Sequence, residues 1–260
     1  MGECNTCTIE NCDIFDFMAK YVGLSVLHPG GFRATLKLAD DCQVNKDTSV
    51  IDIACGKGTT SILLAEKYGC KVTGIDLSND LIDYAKELAR KRRLDARIDF
   101  RVGNALDLPF NDNEFDFAIS QAILVLVPDK KRAIKEAFRV IKPGGCAGWI
   151  ELSWKEDPPA DFMRKVSNEL CAYCMANVST FEGWEKLFKE SGIGNLELQR
   201  HSLNMGGMKT MLSDEGFRNM LRIMFRYVAH SKMRKRMKSL NRFFQDNPRY
   251  FGYGIYIARK

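Results

Sequence analysis

Residues 50–76 read VIDIACGKGTTSILLAEKYGCKVTGID, and the reading of this stretch decides the fold. An apolar run carrying Asp52 passes through Gly56 and Gly58 and enters a helical pattern at 59–68. A second apolar run follows and stops at Asp76. A glycine turn between strand and helix lets a ligand touch the backbone. A triphosphate loop needs Gly-Lys-[Ser/Thr] after four spacer residues, and Gly56-Lys57-Gly58-Thr59 lacks that spacing. A dinucleotide fingerprint needs a third glycine where Ser61 stands, so that match is partial.

The two acids narrow the ligand. Asp52, just before the turn, would repel a pyrophosphate and suits an ammonium group. Asp76, at the second strand end, can take both hydroxyls of a ribose. The pair suits a nucleoside with a cationic amino-acid arm, and S-adenosylmethionine is such a ligand.

The pattern repeats outward from the turn. Strands are expected at 49–54, 71–76, 98–102, 115–120 and 146–153, with helices at 59–68, 79–93 and 130–140 between most of them. Strands alternating with helices imply βαβ units and a doubly wound, mostly parallel sheet, seven strands in all and Rossmann-like. Residues 1–44 form an N-terminal helical cap, with two short helices in 13–42 broken by His28-Pro29-Gly30-Gly31. Residues 45–154 form the cofactor-binding core and 155–180 a helical cover with a helix at 160–176. The core resumes at 181–210, with a helix capped by Thr180 and a strand at 195–203. A basic helical insertion at 211–247 precedes the last strand, 248–260.

The chain has 260 residues, 45% hydrophobic, enough for one substantial core. No apolar run approaches a membrane span and the first residues, MGECNTCTIENCD, are polar, so a cytoplasmic protein is expected. Nine cysteines without a secretion signal imply mostly free thiols. The net charge of +6 is unevenly spread: residues 200–260 hold 14 Lys/Arg against three acids.

Four ordered stretches carry a family resemblance: VIDIACGKG at the turn, VTGIDLS at the ribose-binding strand end, VGNALDLPFNDNEFDFAIS, and AFRVIKPGGCAGWIEL. Together they resemble the class I S-adenosylmethionine-dependent methyltransferases, in particular the small-molecule branch with the quinone-biosynthesis C-methyltransferases. Ala54 stands where that family often has glycine. The resemblance implies a methyl transfer to a small-molecule acceptor by in-line displacement, mainly through proximity and orientation. It places Asp52 near the methionine end of the cofactor, Gly56 and Gly58 beneath it, Asp76 on the ribose and Leu77 beside the adenine. Asn104 and Ala105 fall at the adenine edge, and Gln121 faces the methionyl arm or the acceptor.

The sulfonium carries the hard chemistry, so no catalytic triad is expected. His28 is the candidate base or orienter beside Gln121, and Tyr21 is expected to close over the cofactor. Ser120-Gln121-Ala122-Ile123 lacks the Asn/Asp-Pro-Pro-Tyr of nucleic-acid base methylation. No metal is expected. A zinc site from Cys4, Cys7 or Cys12 with Cys171 and Cys174 is the weaker reading, since helical cysteines at i and i+3 pack as small hydrophobes. Thiol or arsenite methylation is a minor alternative, because GKGTTSILL carries no cysteine. The other alternative is a macromolecular acceptor, nucleic acid or an acidic protein, docked on the basic C-terminal third. The protein is read as a monomer or homodimer. In 213–245, Phe217, Met220, Leu221, Met224, Phe225 and Val228 recur at helical spacing, so that stripe is expected to be buried, with Arg218, Arg222 and Arg226 beside it.

Overall fold

The computed structural model describes residues 13–170, 173–203 and 208–260. A short helix, α1 (Ile14–Asp16), widens into a π-type turn (Phe17–Val22) and is followed by α2 (Gly31–Asp41). The Pro-Gly-Gly break falls between them, as expected. Strict alternation then runs through β1 (Ser49–Ile53), α3 (Thr59–Tyr68), β2 (Lys71–Asp76), α4 (Asn79–Lys91) and β3 (Ile98–Val102). No helix separates β3 from β4 (Phe115–Gln121), and alternation resumes with α5 (Lys130–Arg139) and β5 (Ile141–Trp154). After these come α6 (Ala160–Leu170), a 3-10 turn (Tyr173–Asn177), the two-residue β6 (Ser179–Thr180), α7 (Phe181–Glu190) and β7 (Leu196–Ser202). The chain ends with α8 (Met208–Ala229), α9 (Ser231–Asp246) and β8 (Phe251–Arg259).

The strands form one sheet in the order β3-β2-β1-β4-β5-β8-β7, with β6 paired to β5. The pairs from β3 to β5 are parallel, and β8 runs antiparallel between β5 and β7. The expected seven strands become eight because Ser179 and Thr180 bridge Ser153 and Trp154, a pairing too short to leave a periodic signal. One face of the sheet packs α2, α3 and α4 through Leu38, Leu64 and Ile82. The other packs α5 and α7 through Ile134, Trp184 and Phe188, with α6, α8, α9 and the π-type turn joining the same apolar cluster. Leu38 sits so close to Gly148 that a Cβ on that glycine would collide with it, which fixes α2 tightly against β5. Among the described residues no helix is long and apolar enough to cross a membrane.

Two expectations are corrected. Cys42 and Cys146 are disulfide-linked, their Cα atoms 6.0 Å apart, while Cys55 and Cys70 are free and buried. Cys4, Cys7, Cys12 and Cys171, invoked for zinc, lie outside the described residues. The second correction concerns α8. Only Met220 of the expected stripe is buried; Phe217, Phe225 and Val228 are 69%, 74% and 72% exposed. Polar contacts decide which face turns inward: Asn219 donates to the Gly23 carbonyl at 3.1 Å and Arg226 to the Tyr21 carbonyl at 3.4 Å. Ile223 lies on that same face and is buried.

The glycine turn between β1 and α3 is a run of left-handed residues: Ala54 at φ 62°, Gly56 at 54° and Gly58 at 74°. A Cβ on Gly58 would lie 2.5 Å from the Phe100 ring and 2.9 Å from the Ala85 methyl. Gly58→Ala is therefore expected to cost at least about 2 kcal/mol. Ala54→Gly removes a side chain from the left-handed region and is expected to stabilise by about 0.5–1 kcal/mol. Denaturant titration of the two variants checks both signs, and equal midpoints would refute the strain assigned to the turn.

Candidate active site

Asp76 ends β2 and braces the glycine turn. Its carboxylate accepts from the Gly56 N–H and the Ser78 N–H, both at 3.0 Å. An ionised carboxylate has about four acceptor sites, so capacity remains for two hydroxyls. Leu77, next in sequence, is 69% exposed, and Val102 at the end of β3 is 46% exposed. Two apolar side chains are thus bare at neighbouring strand ends beside Asp76, an apolar surface that suits an aromatic base. Asn104 accepts from the Leu106 N–H at 2.9 Å, which shapes the next turn, and Ala105 is buried behind it. A Cβ on Gly56 would meet nothing within 4 Å, so the backbone there lies open.

Asp52 is buried beneath the turn and accepts from the Ser61 hydroxyl at 2.6 Å. Burial, reinforced by the charge of Asp76, pushes its pKa up to about 7. A cation placed nearby would pull that value back down, so the site electrostatically favours a positively charged arm. The open backbone, the ribose-competent carboxylate, the exposed apolar strand ends and the buried acid together fit S-adenosylmethionine.

Gln121 ends β4. Its Oε1 accepts from Thr60, in the first turn of α3, at 2.7 Å, and its Nε2 donates to Thr35 of α2 at 2.8 Å. The same Nε2 lies 3.3 Å from His28 Nδ1, and His28 Nε2 lies 3.3 Å from the Thr35 hydroxyl. Burial lowers the His28 pKa to about 4, so the ring is neutral near pH 7. His28 also lines a cavity of about 800 Å³ bounded by the cap, α8, α9 and β8. Its walls include Met18, Val22, Leu24, Met211, Met237 and Phe244. The Tyr21 ring lies 6.3 Å from that of Phe17.

Some residues of the site give little signal in sequence. Glu215 accepts from the N–H groups of Ser25 and Val26 and from the Ser25 hydroxyl at 2.6 Å, and Asp214 accepts from the Phe32 N–H. They are two of the three acids in residues 200–260, which was the available clue. Thr59 in turn donates to the Ser25 carbonyl at 3.4 Å, so the cap touches the glycine turn. Glu151, an acid in the apolar run GWIELSW, is fully buried. Its Oε1 accepts from the Ile123 and Leu124 N–H groups at 3.0 Å, and its Oε2 has no partner among the described residues.

Residues 44–192 match the family model for the methyltransferase domain. The chain belongs to the methyltransferase family. It is a class I S-adenosylmethionine-dependent methyltransferase of the small-molecule branch. An uncharacterized protein of Haemophilus influenzae is 32% identical to this methyltransferase over 236 residues, 89% of this chain and 91% of that one. The demethylmenaquinone methyltransferase of Listeria welshimeri is 32% identical over 207 residues, 79% of this chain and 81% of that one. A structure of geranyl diphosphate C-methyltransferase from Streptomyces coelicolor, in complex with S-adenosyl-L-homocysteine, overlays with a TM-score of 0.63 at 19% identity. It covers 88% of this chain and 77% of that one, a likeness of fold.

Asp76→Asn in this methyltransferase should weaken cofactor binding by about 1.5–3 kcal/mol, because hydrogen bonds to a charged acceptor carry that much. Undiminished affinity in calorimetry would remove Asp76 from the site. A second expectation concerns pH. Burial pushes the Glu151 pKa up to about 8 in the folded chain, above its unfolded value. The folded state therefore holds that proton more tightly, and stability is lost as pH rises toward 8. Glu151→Gln should gain on wild type by up to about 1.4 kcal/mol per pH unit between pH 5 and 8. Parallel stability–pH curves for the two proteins would contradict this.

Proposed function

We propose that this methyltransferase methylates a bulky, mainly apolar small molecule held in the cavity beside His28. Asp52, Gly56, Gly58, Asp76, Leu77, Asn104 and Ala105 hold the cofactor, while His28 and Gln121 orient the acceptor. The observation that carries this reading is the cavity itself: a largely apolar lining rich in Met and Phe, with Arg33, Lys37, Asp214 and Glu215 among its polar members, that reaches His28, the partner of Gln121. Methionine side chains adapt to irregular apolar shapes. The name of the Listeria relatives, demethylmenaquinone methyltransferase, supports an apolar ring of that kind as the acceptor.

When bound, S-adenosylmethionine supplies an electrophilic methyl group. The chain's own contribution is placement. Thr60 and Thr35 fix the Gln121 amide, and Gln121 in turn fixes His28. With its pKa near 4, His28 is a weak base and a good neutral hydrogen-bond partner for an acceptor oxygen. The cap, pinned by Glu215 and Asp214, closes one side of the cavity and excludes water. Residues 13–32 and 155–180 act together as the cover, since Met18 comes from the first, Leu170 and Met175 from the second, and all three line the cavity.

The reading is tested by incubating the protein with methyl-labelled S-adenosylmethionine and either a short-chain demethylmenaquinone or a small polar amine, then identifying the product by mass. Label in the amine alone would refute it. His28→Asn should lower acceptor turnover roughly tenfold while leaving cofactor affinity unchanged, as expected for lost orientation. Any inflection of the kcat profile near pH 7 should belong to Asp52 and persist in His28→Asn, because a His28 pKa near 4 leaves that ring nothing to titrate there. A rise in kcat centred near pH 6.5 that disappears in the variant would make His28 a general base instead.

A further inference from the structure

The outward face of α8 is apolar. At about 100° per residue, Phe217, Leu221, Met224, Phe225 and Val228 share one sector of the helix. They are 69%, 50%, 49%, 74% and 72% exposed. Soluble surfaces scatter large apolar residues singly, so a contiguous row marks a surface that something covers. Arg218 and Arg222, both exposed, lie along one flank of the row. Lys235, Lys238 and Arg242 are exposed on α9. Residues 217–245 hold nine Lys/Arg and no acid.

We propose that the α8–α9 face docks on an anionic phospholipid bilayer, with the apolar row in the acyl boundary and the basic side chains at the headgroups. An amphipathic helix with a cationic flank binds a membrane in this way. Charge argues against the other occupants. A second copy of the chain would set two predominantly basic helix pairs against each other, and like charges repel. A nucleic acid would engage the arginines and lysines and leave the five apolar side chains unburied. Met237 and Phe244 of α9 line the cavity, and Met211 and Glu215 reach it from the part of α8 that precedes its kink at Gly216. Docking therefore sets the acceptor cavity one helix away from the lipid, where an apolar acceptor concentrates.

Vesicle flotation of the full chain tests this without methyl transfer, so the result stands apart from the choice of acceptor. Wild type should float with vesicles of phosphatidylglycerol and phosphatidylcholine in equal parts, and not with phosphatidylcholine alone. Phe217→Ser/Phe225→Ser and Arg218→Glu/Arg222→Glu should each lower partitioning by about tenfold or more. Both pairs are at exposed positions, and both variants should keep wild-type melting curves and wild-type turnover of a water-soluble acceptor. Failure of wild type to float with the anionic vesicles overturns the proposal. So does flotation of the serine variant at the wild-type level, which would mark a purely electrostatic polyanion surface. So does a sedimentation-equilibrium dimer that the serine substitutions dissociate while wild type leaves the vesicles unbound.

Discussion

The Gln121 amide accepts from Thr60 with its oxygen and donates to Thr35 with its nitrogen, so one planar group joins β4, α3 and α2. Those elements lie 61 and 86 residues from it in sequence. A planar amide with both ends engaged has little rotational freedom, and groups hung on it inherit its position. His28 is the first of these, and through His28 the cap segment is set against the mouth of the cavity. The glycine turn contributes the other half of the joint, because Thr60 follows directly on Gly58 and Thr59. Thr60 beside the glycine turn, His28 and the cap thus meet on one side chain at a strand end, where open α/β sheets present their sites.

Charge around the turn is arranged with similar economy. Asp76 is held by two backbone N–H groups, and Asp52 is buried with the hydroxyl and backbone N–H of Ser61 on its carboxylate. The first is ready to bind neutral hydroxyls. The second resists ionising until a positive charge arrives, because burial disfavours its anion. Binding a cation there is therefore coupled to proton release from Asp52 near pH 7.

The alternation of strands and helices, the glycine turn and the acids at the strand ends are legible in the sequence because they are local. Strand period and turn chemistry leave their mark within a few residues. Contacts between distant segments leave no such mark. Glu215 reaches Ser25 across 190 residues, and Thr35 is an ordinary position in an amphipathic helix until Gln121 meets it. The α8 stripe shows a different limit. Its period correctly identifies a helix with an apolar face, but period does not say which face turns inward. Asn219 and Arg226 decide that by bonding the carbonyls of the cap. The eighth strand is missed because two residues have no period.

Glu215 grips the cap by its backbone: the Ser25 and Val26 N–H groups exist whatever side chains those positions carry. Asp214 treats Phe32 in the same way. Such a clasp rests mainly on backbone groups that every residue but proline supplies, with the Ser25 hydroxyl as its one side-chain contribution from the cap. The apolar wall positions Met18, Val22, Leu24 and Leu27 can therefore be rewritten, by evolution or by an engineer, without unfastening the cap. A change of acceptor in this scaffold need not be a change of fold.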